Sequence, residues 1–317
     1  MTNKKKKRPS TRPSGYRDPK SAPQPEPRKG ILDSVFAPRS AGSSTMPRIR
    51  TALARGVVTV IGTPALVVGT MVFLFVFWLA LVALGYQGPL APLANLLAIP
   101  PVGTSLDASL STSIFGLQGG LYGILGFLAI RALVLGVTTA AVVEVMDQGR
   151  LTAQSVRVGI RALPVTFAVC IIGVGILTAA SIAGPLLGPG IGILLQVGGL
   201  VLGTDFFVFA PVIAVSEHRS MPDSLARSVR AARMPGAGNL TLATLYVIPA
   251  VALIVAPGKP GNLIGVNPTP GAWAFVILVN VLQLALLATF AFRYLSVAHE
   301  VPDAPVKAAR SGSRGRR

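Results

Sequence analysis

Apolar residues fall along this chain in long unbroken runs, not at the short periods of half-buried strands or surface helices. A helical membrane crossing takes about 20 predominantly apolar residues, and six runs meet that need: 57–85, 117–143, 163–183, 190–215, 239–256 and 272–296. The first is longer than one crossing requires, so its amino end around Thr59 to Pro64 is expected to lie tilted or interfacial. The fifth is short and contains Pro249. The pattern predicts an all-α polytopic membrane protein: six transmembrane helices within residues 51–297, a basic tail at 1–50 and a second basic tail at 298–317.

Composition agrees with the pattern. Of the 317 residues 51% are hydrophobic and 13% charged, with a mean hydropathy of +0.64, whereas ordinary soluble domains are about 25% charged. The net charge of +18 is uneven: residues 1–55 hold 14 of the 29 Lys and Arg against three acids. Rich in Pro, Ser and Gly and nearly free of apolar residues before Ile31, residues 1–50 are expected to be disordered. The basic stretch is too long to be the start of a secretory signal. Within it GILDSVFAPR spaces Ile31, Leu32, Val35 and Phe36 helically, as a chance cluster or as a short element that meets the membrane surface or a partner.

Lys and Arg in short loops stay on the cytoplasmic side. One side holds the tail; Arg150, Arg157 and Arg161; Arg219, Arg227, Arg230 and Arg233; and Lys307, Arg310, Arg314, Arg316 and Arg317. The other side holds only Lys259. Six spans in the cytoplasmic membrane with both termini cytoplasmic satisfy this asymmetry, and removing any span moves a basic loop to the wrong face. The outer loop 86–116 includes LANLLAIPPVG, whose Pro100 and Pro101 forbid a continuous spanning helix, so an interfacial or re-entrant piece is expected.

The two inner loops resemble each other at an offset of 69 residues. GRLTAQSVRVGIRA (149–162) aligns with HRSMPDSLARSVRA (218–231), matching Arg150 to Arg219, Ser155 to Ser224 and Arg161 to Arg230. Val156 and Ile160 correspond to Leu225 and Val229, so both segments read as short amphipathic helices on the inner surface. Ser220, with Asp223 three residues on, signals an N-cap for the second. Each unit, an inward span, a connector helix and an outward span, has the same orientation, as in a parallel internal repeat; similarity between any two basic connectors is the simpler alternative.

The stretch from VVEVMDQGRLTAQSVRVGIRALP through APVIAVSEHRSMPDSLARSVRAARMPG resembles the six-span membrane domain associated with glycerophosphoryl diester phosphodiesterases and its stand-alone relatives. The likeness covers about residues 120–290 and rests on Pro211, Glu217, Ser224, Leu225 and the Arg227-Ser228 step. It implies an architecture and a helper or membrane-embedding role. The hydrolase of that family is a separate soluble domain, for which this chain has no room.

Reactive groups are sparse. His218 and His299 lie far apart in sequence without acid clusters at metal-ligand spacing, so neither a metal nor another cofactor is expected. Cys170, the one cysteine, reads as a packing residue within an apolar run. There is no phosphate-binding loop or nucleophile elbow, and GPGIG at 188–192 reads as a loop and helix start. Gly199 and Gly203 form a small-xxx-small seam on the fourth span, and Gly116, Gly120, Gly123 and Gly126 a second on the other.

What chemistry remains lies inside the spans and in the tail. Arg131 sits within FLAIRALVLG, Asp205 in the fourth span, and Asn280 and Gln283 in the sixth; such groups face the bundle interior and form a structural ion pair or a solute path. Arg131 and Asp205 are level when counted from their outer span ends, but five residues apart counted from Arg150 and Arg219, about 7–8 Å. Either they pair, or Arg131 is served by backbone carbonyls, the two amides or water. In the tail, Lys4, Lys5, Lys6, Lys7 and Arg8 would bind anionic lipid at the neighbouring leaflet, or serve only to fix topology; nucleic acid is the less favoured partner. The first reading is a non-enzymatic membrane protein organising lipids, or partner proteins through its tail and inner helices. The alternative is a small transporter or channel for an anionic or amphiphilic solute.

Overall fold

The computed structural model describes residues 45–83, 121–236, 238–255 and 269–301. Within them every regular element is a helix: α1 (Ile49–Gly62), α2 (Pro64–Ala83), α3 (Leu121–Gln148), α4 (Gln154–Arg161), α5 (Leu163–Leu187), α6 (Pro189–Phe207), α7 (Phe209–Ser216), α8 (Met221–Ala232), α9 (Asn239–Val255) and α10 (Pro270–Leu295). Four stretches are long and apolar enough to cross a membrane: Leu128–Gln148, Leu163–Gly184, Gly190–Ser216 and Trp273–Leu295. A fifth arises if α1 and α2 are one span, although they bend by 75° at Thr63. The bend falls where the sequence suggested a tilted segment, and Pro64 explains it: proline fits the first turn of a new helix but cannot continue the old one. α9 continues through Pro249, yet its 17 residues span only about 25 Å, short of the ~30 Å hydrocarbon core.

Described structure precedes residue 51. Met46 donates its amide to Pro235 O at 3.1 Å, and α1 begins at Ile49. Residues 1–44, including Lys4 to Arg8 and the GILDSVFAPR element, lie outside the described residues, as do the expected outer loop 86–116 and the segment holding Gly116 and Gly120.

α10 is the hub. It packs against α1, α3, α7 and α9, and Val276, Leu284, Leu287, Phe290 and Tyr294 bury one side at helical spacing. α1 lies directly on its backbone: a β-carbon at Gly56 would stand 2.3 Å from Thr289 Oγ1 and 2.5 Å from Ala285 O. α2, by contrast, buries only the Leu66–Thr70–Leu74 stripe and leaves Val68, Val72, Phe75 and Val76 exposed. Similar uncovered apolar faces occur on α6 at Leu194 and Leu202 and on α10 at Leu278 and Leu282. Water would penalise such surfaces.

α5 and α6 form a hairpin with a one-residue joint. Gly188 takes φ +103 and Pro189 opens α6, so GPGIG is the turn and helix start that the sequence indicated. A β-carbon at Gly192 would lie 2.8 Å from Gly184 Cα. Higher up, Gly199 meets Ile176 so closely that a β-carbon there would stand 2.7 Å from its Cγ2, which makes Gly199 part of a real seam. Cys170 is buried with Leu128 and Ala132, as a small packing residue.

Both connector segments are helical where the repeat alignment placed them, and Ser220 occupies the N-cap of α8. α4 turns Ser155 and Gly159 inward and leaves Val156 and Ile160 exposed. The reason is backbone contact: a β-carbon at Gly159 would meet Val137 Cα at 2.5 Å and N at 2.6 Å. Only the small face of α4 can approach α3 that closely, so the larger apolar pair points away. α8 buries Ser224, Arg227, Ser228 and Ala231, with Leu225 packed at the core's edge.

Gly159→Ala should therefore destabilise the protein by about 1–3 kcal/mol, the usual cost of forcing atoms into a packed contact. Gly175→Ala, where a β-carbon meets nothing within 4 Å, should be neutral or stabilising through better helix propensity. Thermal unfolding in one detergent compares them; equal effects would mean that the α3–α4 contact is unimportant.

Candidate functional site

Polar chemistry collects at one end of the bundle, where α3 turns into α4 and α7 into α8. The α7–α8 corner is built on Glu217, the residue capping α7, and on His218, which takes φ +53 and reverses the chain. The Glu217 carboxylate accepts from Arg219 Nε at 2.6 Å, from Arg227 Nε at 3.1 Å and from the Tyr294 hydroxyl. Arg227 reaches this carboxylate from α8, while its Nη1 and Nη2 donate to Val301 O at 3.0 Å and Ala298 O at 2.7 Å. Its planar fork thus ties α8, Glu217 and the chain beyond α10 into one unit, a geometry lysine could not reproduce.

This corrects one part of the charge picture read from sequence. Arg227 was grouped with the arginines of the inner surface, but it is only 5% exposed and its donors are engaged internally. Ser228 is also internal, donating to Phe206 O at 2.6 Å. That carbonyl lies beside the α6–α7 break, where Pro211 supplies no amide to Phe207. Pro211, Glu217, Ser224, Leu225, Arg227 and Ser228 all lie on α7, α8 or the turn between them.

The α3–α4 corner uses a carboxylate in a comparable way. Glu144 accepts from Thr152 N at 3.3 Å and from the Thr152 hydroxyl, and Ser155 Oγ donates back to Thr152 O at 2.8 Å. Between the two corners is a cleft of about 160 Å³, with Glu144, Asp147, Gln154 and His218 in its lining. Among the described residues no three His, Cys, Asp or Glu side chains gather at a spacing suited to a metal ion.

A second polar group runs through the interior. Arg131 is 1% exposed, and Asn280 and Gln283 are fully buried, as expected for charges and amides held inside a bundle. Asn280 Nδ2 donates to Val276 O at 2.8 Å. Gln283 has no hydrogen-bond partner on either amide atom among the described residues. Asp205 is partly buried, and an electrostatic attraction links it to Arg293 of α10; the sequence left open whether Arg131 would be its partner. Counted from the connector ends, Arg131 lies seventeen residues along α3 and Asp205 eleven along α6–α7. They are then about 9 Å apart in depth, in agreement with the inner of the two sequence counts.

Arg293 is the residue that sequence reasoning missed. It is fully buried, its Nη2 reaches Met46 Sδ at 3.7 Å, and its Nε and Nη1 have no partner among the described residues. In sequence it looks like an ordinary basic flank of the last span. The available signal was the next residue: Tyr294, buried within FRYL, shows that the helix is still inside the core there.

The chain enters and leaves this end of the bundle. Met46 is bonded to Pro235 just after α8, and Val301 to Arg227 on α8. At the opposite end Trp78 of α2 and Trp273 of α10 meet edge to face, with centroids 5.3 Å apart. Comparison with known proteins finds no matching family model, no matching curated protein and no matching solved structure.

Proposed function

We propose that this chain is a non-enzymatic, multi-pass protein of the cytoplasmic membrane that gathers anionic lipids, and through them or its tail other proteins, at its inner face. The observation that carries the reading is the coincidence at one end of both connector helices and both ends of the described chain. An even number of crossings satisfies that arrangement, and six spans with a duplicated pair remain the simplest form. With the connector end cytoplasmic, exposed Arg150, Arg157 and Arg161 lie on the side the positive-inside rule requires. Trp273 and Arg293 are twenty residues apart on α10, about 30 Å, which matches the thickness of the hydrocarbon core.

α4 then lies as an interfacial helix, with Val156 and Ile160 toward the acyl chains and its arginines near the headgroups. Each basic residue at an anionic surface contributes about 1 kcal/mol, and Lys4 to Arg8 would add to the effect from the tail. Gentle detergent purification followed by lipid analysis tests this reading. Phosphatidylglycerol and other anionic lipids should be enriched over the bulk membrane, and the enrichment should fall when residues 1–44 are deleted and when Arg157 and Arg161 are changed to Gln. Lipid composition matching the bulk membrane in all variants would refute it.

A transport reading draws support from the interior instead. Gln283 and Arg293 are buried with unmet hydrogen-bonding capacity, which water or a passing anionic solute would satisfy. Solute flux in proteoliposomes that is abolished by Gln283→Leu would favour it.

A further inference from the structure

A groove of about 400 Å³ runs between α2, α3 and the start of α4. Leu66 and Phe73 form one wall, Val134, Val137 and Ala141 the other, and Leu151 and Val156 the rim. Of its four hydroxyls, Thr138 included, three offer little to a polar guest. Thr70 Oγ1 donates to Leu66 O at 2.8 Å, Thr152 Oγ1 to Glu144, and Ser155 Oγ to Thr152 O. With those hydrogens committed within the protein, the walls present mainly carbon.

Size and position narrow the guest further. A methylene takes up roughly the ~30 Å³ share of a water molecule, so the groove holds on the order of a dozen. From Val134 to Ala141 it follows α3 for about 10 Å, most of one leaflet's ~15 Å half of the hydrocarbon core. Two exposed arginines are next in sequence to its rim residues: Arg150 precedes Leu151 and Arg157 follows Val156. Leu151 and Val156 are themselves exposed, so the groove opens beside these arginines.

We propose that this groove seats one acyl chain of an anionic phospholipid from the connector-side leaflet, with its phosphate held toward Arg150 and Arg157. The proposal rests on the lipid-gathering reading above and assigns it a specific site. An amphipathic surface helix alone would bind lipid without order; a fitted groove binds one chain in a fixed register.

The test uses the full chain in phosphatidylcholine vesicles containing a minority of phosphatidylglycerol with a photoreactive group near the acyl terminus. After irradiation, adducts should concentrate on Phe73, Val137 and Ala141 relative to the outward-facing Leu194 and Leu278. Val137→Trp should reduce the groove adducts severalfold and spare those at Leu194; Gly69→Leu, where a β-carbon meets nothing within 4 Å, provides a second blocking variant should the first fail to fold. Arg150→Gln with Arg157→Gln should erase the preference for the phosphatidylglycerol probe over a phosphatidylcholine one. Groove adducts no denser than at Leu194, adducts that survive both blocking variants, or equal labelling by both probes would overturn the proposal. Deleting residues 1–44 should leave the groove adducts in place, which separates failure of this site from failure of tail-driven lipid gathering.

Discussion

Replacing Arg227 with Met is expected to cost about 3–5 kcal/mol, the range for breaking a buried ion pair from one side. The methionine fills much of the volume but leaves Ala298 O and Val301 O without the donors that now serve them, and removes one of the two arginines on Glu217. Arg227→Lys should recover little, because a single ammonium cannot reach a carboxylate, a phenol and two carbonyls together. Milder changes around the same node should rank below it. Glu217→Gln keeps a neutral acceptor for Arg227, and Tyr294→Phe removes one hydroxyl, a loss of about 0.5–1.5 kcal/mol. Thermal unfolding of the four variants in one detergent gives the order. Arg227→Met that is no worse than Tyr294→Phe would show that the corner is not held by this guanidinium.

Asp205→Leu should also lower stability, because it removes the negative charge that offsets the burial of Arg293. Adding Arg293→Leu should return most of that loss, since an apolar pair carries no desolvation cost. The double-mutant cycle isolates the coupling from the separate effects of each change. A parallel cycle between Asp205 and Arg131 should be close to additive, given their offset of about 9 Å in depth. Strong coupling to Arg131 and none to Arg293 would reverse the assignment.

Much of the architecture was legible because long apolar runs and arginine-rich connectors are local features. The bend before Pro64, the Gly188 turn and both connector helices fall where the residues place them. Facing was harder to read. Val156 and Ile160 mark an apolar face, but the backbone contact of Gly159 with α3 that turns this face outward depends on a partner glycine at 136 that no feature within the connector reveals. Partners of buried charges were also hidden. Asp205 is attracted by an arginine 88 positions away, and Glu217 meets Tyr294 across an interval of 77 residues. Periodicity identifies that such groups face inward; only the packing of α10 against its neighbours decides which of them meet.

The account depends most on the side of the membrane that the connector end faces, and cysteine labelling of intact cells tests it directly. The single native cysteine is buried, so the background is silent. An impermeant thiol reagent should modify cysteines placed at Ser109 and Asn262 from outside, and cysteines replacing the exposed Gln154 and Ala226 only after the cells are permeabilised. Modification of the Gln154 and Ala226 positions in intact cells, with protection at Ser109 and Asn262, would put the arginine-bearing end outside and contradict the account.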